Sequence, residues 1–331
     1  MEKKVIGIDV SKAWFDTAFK KESGYEEKRF ENTQKGIKSF ISLAKRRKCR
    51  VILEHTGHYG LLLCCMLQEA EVEYAVIPAI QIKRSVGLVR GKSDLIDARR
   101  IAEFGYTHFH KIKPSRFPSK SLLKLKDALT YRDQLIRINT SLKNSLKAHQ
   151  MVTDISECNW IVNDIKQQIV EQTKRVEATE QQIKSIIRED PELEKNYNLL
   201  TSIKGVGLLI AAFMLVSTSN FTSFANGRKF ACYAGIAPFE YSSGSSISGK
   251  TRVSFYGNKR IKSLLFTGSN SAVNYDPEMR AYYLRKKEEG KNHQQIINAI
   301  CCKLVNRAFA VIKRGTPYVQ IYGNNFTKQL G

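Results

Sequence analysis

Four carboxylates stand where a carboxylate is costly or conspicuous. Asp9 interrupts the apolar run Val5-Ile-Gly-Ile-Asp9-Val, and Glu54 ends the run Arg50-Val-Ile-Leu-Glu54. A charge on such a strand has to be paired, bound to a cation, or left at a strand end open to water. Two more acids fall in Lys92-Ser93-Asp94-Leu-Ile-Asp97-Ala-Arg, where a spacing of three puts both on one helical face. Alone, that pair reads as an ordinary helix start, with Ser93 as N-cap and the acids complementing the helix dipole. Together with Asp9 and Glu54 it supplies four hard oxygen donors. Such a set suits two Mg²⁺ ions of the kind that stabilise attacking and leaving oxygens in phosphodiester chemistry. His55 and His58 flank Glu54 and read as surface or supporting histidines.

A second constellation is rich in serine. Gly244-Ser-Ser-Ile-Ser-Gly249-Lys250-Thr251 matches the nucleotide-binding phosphate loop letter for letter. That loop needs a buried strand before it and a helix directly after it. Here Pro238-Phe-Glu-Tyr-Ser-Ser is short and polar, and Arg252-Val-Ser-Phe-Tyr-Gly257 is strand-like, so the match reads as accidental. A flexible Ser/Gly linker is the other plain reading, and the apolar and aromatic flanks argue against it. Residues 228–262 hold seven basic side chains (Arg228, Lys229, Lys250, Arg252, Lys259, Arg260, Lys262) and one acid, Glu240. A serine in cationic surroundings can be a phosphoryl-transfer nucleophile once a base or metal takes its proton. Upstream, Lys204-Gly205-Val-Gly207 separates two apolar stretches in the manner of a helix-hairpin-helix. Its glycine turn would aim backbone N–H groups at a DNA phosphate, and the plainer reading is a tight turn between packed helices.

The elements that must position these groups follow from periodicity. The start reads β-β-β-α-β-α-β, with strands at 5–10, 14–20, 25–31, 50–54 and 73–77, which predicts an α/β domain with a mixed sheet over 1–117. Residues 118–195 repeat Leu122, Leu125, Leu129, Leu135, Ile138, Leu142, Leu146 and then Ile161, Ile165, Ile169, Val176, Ile183, Ile187. Those steps of three and four predict two long helices joined near Asp154–Asn159, as a coiled-coil arm for assembly or as part of a bundle. Residues 196–331 form a third, mainly helical region, with helices at 259–272, 277–287 and 294–313. Cys301-Cys302 reads as core, and Tyr282-Tyr-Leu-Arg-Lys-Lys as a weak nucleic-acid surface.

The 331 residues, 42% of them hydrophobic, can bury real cores. Fifty-four Lys+Arg against 31 Asp+Glu leave a net charge of +23, which favours a polyanionic partner, nucleic acid before an anionic membrane. The charge loads the two ends: +9 over 1–117, +1 over 118–200 and +13 over 201–331. No apolar run approaches the roughly 18 residues of a membrane span, and the start, Met1-Glu-Lys-Lys-Val, has too short an apolar stretch for a signal peptide. Seven cysteines without a CxxC pair argue against zinc and disulfide frameworks, so a cytoplasmic protein with reduced thiols is expected.

Ile-Gly-Ile-Asp9-Val-Ser-Lys, Glu54-His-Thr-Gly-His-Tyr and Lys92-Ser-Asp94-Leu-Ile-Asp97-Ala resemble, in that order, the motifs of the Piv-type DEDD insertion-sequence transposases. So do Gly235-Ile-Ala-Pro238, Ser243-Gly244, Gly249-Lys250 and Gly257-Asn258 further on. The resemblance implies a ribonuclease-H-like, RuvC-like N-terminal domain with Asp9, Glu54, Asp94 and Asp97 as the metal tetrad. Two Mg²⁺ ions are expected there, with Mn²⁺ able to substitute. It implies Ser243 as the DNA-attacking serine, in a composite site between subunits, with Ser242, Ser245, Ser246 and Ser248 crowding the motif. Its implied partners are donor and target DNA, a structured non-coding guide (bridge) RNA, and further copies of the chain as a dimer or tetramer, in the cytoplasm at the nucleoid and with no membrane. Lys204, Gly205, Gly207, Arg228, Lys229, Lys250, Arg252, Lys259 and Arg260 are the nucleic-acid-binding candidates. Two other functions use the same residues: a structure-selective nuclease in which water attacks, and a binding-only regulator. Actin-like ATPases share the Gly-Ile-Asp opening, but residues 50–110 lack their glycine-rich phosphate loops.

Overall fold

Period-two alternation builds the first unit. In β1 (Val5–Val10) Ile6 and Ile8 pack to one face, and Val5 packs to the other with Gly7 and Asp9 in step. β2 (Trp14–Lys21) and β3 (Gly24–Glu31) continue antiparallel, and α1 (Gln34–Arg47) then carries the chain to β4 (Arg50–Glu54), parallel to β1. α2 (Leu61–Glu69) leads to β5 (Tyr74–Ile77), parallel to β4, and α3 (Ala79–Ser85) and α4 (Asp94–Thr107) follow. The sheet order is β3-β2-β1-β4-β5. Ile37, Phe40, Leu63 and Leu67 of α1 and α2 bury one face against Ile6, Ile8, Phe15, Val51 and Leu53. Ile82, Ile101 and Phe104 of α3 and α4 bury the other against Val5, Ile52, Ala75 and Ile77. Three antiparallel strands, two parallel ones and helices on both faces make the ribonuclease-H-like arrangement expected from the sequence.

The computed structural model describes residues 4–22, 24–55, 57–85, 94–156, 159–243, 247–253 and 256–319. The chain divides after Phe117 into two compact units. Ser93, expected as an N-cap, lies outside the described residues, as do Gly244, Ser245 and Ser246 of the serine loop and residues 157–158 of the expected turn.

Small residues fix the seat of α4. A Cβ at Gly7 would lie 2.2 Å from the Ala102 nitrogen and 2.4 Å from the Ala98 carbonyl oxygen, and one at Gly105 2.6 Å from Ile52 Cγ1. The helix therefore runs antiparallel to β1 with Ala98, Ala102 and Gly105 laid directly on the sheet. Gly7→Ala is expected to cost about 3 kcal/mol by overpacking, read as a lower midpoint in urea unfolding.

In the second unit α5 (Lys120–Ser156) and α6 (Asn159–Arg188) form an antiparallel hairpin, tied by Arg132–Glu180 (2.7 Å) and Asn139–Thr173 (3.3 Å). Its base does not stand apart. Leu122, Leu125, Leu129, Ile183 and Ile187 share one core with α7 (Pro191–Thr201), α8 (Leu208–Ser217), α9 (Gly227–Tyr233), α10 (Lys259–Tyr275), α11 (Pro277–Glu288) and α12 (His293–Arg314). Between α9 and α10, β6 (Pro238–Ser243) and β7 (Ile247–Val253) pair as an antiparallel hairpin. Gly249, Lys250 and Thr251 thus lie inside a strand, so the phosphate-loop match lacks the helix it needs, as its flanks had indicated. One expectation is corrected: α12 has a mean hydropathy of 1.4 over 18 residues, long and apolar enough to cross a membrane. Its stripe of Ile297, Ile300, Leu304 and Ala308 is buried in the helical core. The six described cysteines are free thiols, and Cys301 is core, as expected.

Candidate active site

The sheet register brings the acids together. Ile8 pairs with Leu53, the last pair of the parallel ladder, so Asp9 and Glu54 stand side by side one step beyond it. Both follow, by alternation, residues that pack under α4: Asp9 is in step with Val5 and Gly7, Glu54 with Ile52. Because α4 lies antiparallel to β1 with Ala98 on Gly7, its first turn, carrying Asp94 and Asp97, reaches the same end of the sheet. Asp9 and Glu54 are half-buried, as is Asp97, and Asp94 is exposed.

The electrostatics follow from this convergence. Burial first, then the charges of Glu54, Asp97 and Asp94, push the Asp9 carboxyl up to about 6. Burial also raises Glu54, Asp97 adding to it and the Lys83 cation opposing it. Asp97 accepts a 2.8 Å bond from Arg100 Nη1. Among the described residues no three His, Cys, Asp or Glu side chains are grouped closely enough to hold a metal ion as they stand. The donor set would fit a hard divalent cation: all four side chains offer carboxylate oxygens, and their mutual repulsion is what such an ion would offset. His55 and His58 are exposed beside Glu54.

Sequence reasoning missed two charged groups on this face. Asp16, 1% exposed, lies directly across from Asp9 on β2 and is itself paired with Arg29 on β3. Arg29 donates to it twice, Nε to Oδ1 and Nη2 to Oδ2, each at 2.9 Å. The available signal was an acid between Phe15 and Phe19 in a strand whose alternation turns it toward the acid face.

The serine hairpin springs from a glycine clasp. Gly235 has φ +69, and a Cβ at Gly257 would lie 2.2 Å from the Gly235 Cα. Asn258 closes the clasp, its N–H donating to the Tyr233 carbonyl (2.8 Å) while its side chain caps α10. The motif glycines therefore hold the two feet of the hairpin together. Ser243 ends β6 and pairs with Ile247, and Ser242 pairs with Ser248. The side chains of Ser243, Lys250 and Arg252 lie outside the described residues.

The other basic candidates separate. Arg228 and Lys229 are exposed on the first turn of α9, and Lys259 on that of α10. Arg260 is turned inward, its guanidinium paired with Asp133 of α5 and lying over the Phe213 ring. Lys204 and Gly207 are exposed, and Gly207 has open space where a side chain would stand. Gly205 has φ +91, and its Cβ position is 2.4 Å from the Gly268 carbonyl oxygen, so its turn is seated on α10. Gly205→Ala is expected to lower stability by about 2–3 kcal/mol, visible as a fall in Tm in the absence of any nucleic acid.

Comparison with known proteins gives this arrangement its class. A family model described as a transposase, of the DEDD IS110 type, matches residues 6–152, and one described as the transposase IS116/IS110/IS902 family matches residues 197–284. The chain belongs to this family of insertion-sequence transposases, which are DNA-processing enzymes. It is 28% identical to the pilin gene-inverting protein of Moraxella bovis over 96% of this chain and 98% of that one. It is 24% identical to an uncharacterized 43.6 kDa protein of insertion element IS110 from Streptomyces coelicolor, over 88% of this chain and 89% of that one. Among solved structures, T. thermophilus RuvC in complex with a Holliday junction substrate matches 34% of this chain and all of that one at 13% identity, with a TM-score of 0.29.

Proposed function

We propose that this transposase-family protein cuts and rejoins DNA strands through a covalent serine–DNA intermediate, with divalent metal held by Asp9, Glu54, Asp94 and Asp97. The observation that carries the reading is the gathering of these four acids at one end of a ribonuclease-H-like sheet, in a chain matched at both ends by transposase models. Asp9, Glu54, Asp94 and Asp97 would hold Mg²⁺ or Mn²⁺, which would supply charge stabilisation for the attacking and leaving oxygens. Ser243 Oγ forms a bond to the phosphorus as the bond to the departing DNA oxygen breaks; the proton that serine gives up to a base or solvent is balanced by the one the departing oxygen takes up to become a hydroxyl. The phosphodiester energy is conserved in the serine ester, so attack by a second DNA hydroxyl rejoins a strand without ATP. Arg228, Lys229 and Lys259, with Lys250 and Arg252 on β7, supply the cationic surroundings for phosphate. We further infer a guide RNA pairing with donor and target DNA, a composite site completed in a dimer or tetramer, and action in the cytoplasm on the nucleoid; the +23 charge accords with both nucleic acids.

The test is a denaturing gel of end-labelled element-junction DNA incubated with protein, Mg²⁺ and RNA transcribed from the element's flanks. A labelled protein band, absent from both Ser243→Ala and Asp9→Ala, is the expected result. Nicked DNA without an adduct, insensitive to Ser243→Ala, would establish the water-using nuclease instead. Tight binding that needs neither metal nor the acids, with no cleavage, would favour the regulator.

A further inference from the structure

Arg29, Asp16, Asp9 and Glu54 form one transverse row across four adjacent strands, on one face of the sheet. Two interstrand spacings put the Arg29 backbone roughly 10 Å from that of Asp9. The buried Asp16 grips Arg29 by its Nε and Nη2 groups. That uses two of the five guanidinium donors, and the opposite Nη1/Nη2 edge is a second fork. The Arg29 side chain is 51% exposed. Its Cζ lies 4.9 Å over the ring of Trp14, itself on the same face two residues from Asp16. The Asp16 bond holds the Arg29 cation firmly charged, and the charge of Asp94 adds to it. Burying one carboxylate of an ion pair is a poor way to gain stability, since an apolar residue of similar size does as well. It is a good way to aim a guanidinium.

We propose that Arg29 grips a backbone phosphate of the DNA strand close to the phosphate cleaved at the acid site, with Asp16 as its positioning residue and Trp14 as the surface that keeps the guanidinium flat. A planar fork already fixed on one edge presents the other for bidentate phosphate contact at little entropic cost. The assignment rests on the DNA-cleaving reading of that site.

The experiment uses the full chain and two variants. Asp16→Asn/Arg29→Gln removes both charges while leaving hydrogen-bonding groups of similar size. Arg29→Lys keeps the charge and loses the fork. Affinity for labelled element-junction DNA is measured against salt concentration, alongside KM and kcat for cleavage. The double variant is expected to melt within a few degrees of wild type, to raise KM about tenfold with kcat changed less than about threefold, and to flatten the salt slope by about one phosphate contact. Arg29→Lys is expected to weaken binding severalfold with the slope kept, and it carries the test if the double variant does not fold. A double variant, or a folded Arg29→Lys, that binds and cleaves as wild type at every salt concentration would reduce the pair to a fold element and overturn the proposal. So would a slope change seen with the flanking RNA and not with DNA. If wild type binds but does not cleave, the cleavage reading fails while the salt slope still decides the role of Arg29.

Discussion

Ser243→Ala is expected to abolish the protein–DNA adduct and to reduce strand transfer by about a thousandfold or more, because an alanine offers no oxygen to hold the phosphoryl group. Fold and DNA affinity should stay near wild type, since Ser243 ends a strand and contributes backbone pairing that alanine retains. The neighbouring serines sharpen the prediction. Ser242 and Ser248 are partners in the backbone ladder of the hairpin, and Ser242→Ala and Ser248→Ala should keep activity within about tenfold of wild type. The check is the trapping gel run for each single variant in parallel. Loss of the adduct in Ser242→Ala with retention in Ser243→Ala would move the nucleophile by one residue.

Asp9→Asn is expected to do two opposite things: lower cleavage by about a thousandfold and make the metal-free protein more stable. The sign follows from proton linkage. Asp9 titrates near 3.8 when unfolded and is pushed up to about 6 in the fold by burial and by Glu54, Asp97 and Asp94. Between those values the folded chain holds a proton the unfolded chain has lost, so stability falls as pH rises through about 4 to 6 and does not return above it. A half-buried carboxylate is partly screened by water, so the penalty at pH 7 is about 1–2 kcal/mol. In chelator at pH 7, Asp9→Asn should therefore melt about 4 °C higher than wild type, with the difference gone near pH 4. Adding Mg²⁺ should raise the Tm of wild type and leave the variant unmoved. A variant that melts lower in chelator would mean that Asp9 is a satisfied structural group.

Most of this frame was legible in the sequence because its two periods are clean. Val5–Val10 and Arg50–Glu54 read as buried strands with an acid each, and the leucine and isoleucine steps of 122–187 read as a helical hairpin. Four things were not legible, each for a physical reason. The Asp16–Arg29 pair depends on strand register across β1, β2 and β3, which hairpin spacing alone does not fix. The seat of α4 depends on Gly7 meeting Ala98 and Ala102, a long-range contact between small residues that hydropathy scarcely registers. Arg260 counted as one more cation in a basic run, and only its packing against Asp133 and Phe213 distinguishes it from its neighbour Lys259. Gly257 was read as part of a motif, whereas its need to touch Gly235 explains why a glycine stands there.

The most direct measurement of the serine mechanism is mass spectrometry of the trapped complex. Wild-type protein is incubated with junction DNA, Mg²⁺ and flanking RNA, denatured, treated with nuclease and then with protease. The expected result is a single nucleotide remnant, joined through phosphate to the peptide containing Ser243, with fragment ions placing it on that residue. Cut DNA in the same reaction with no modified peptide, its ends bearing free phosphate and hydroxyl, would contradict the mechanism and assign the attack to water.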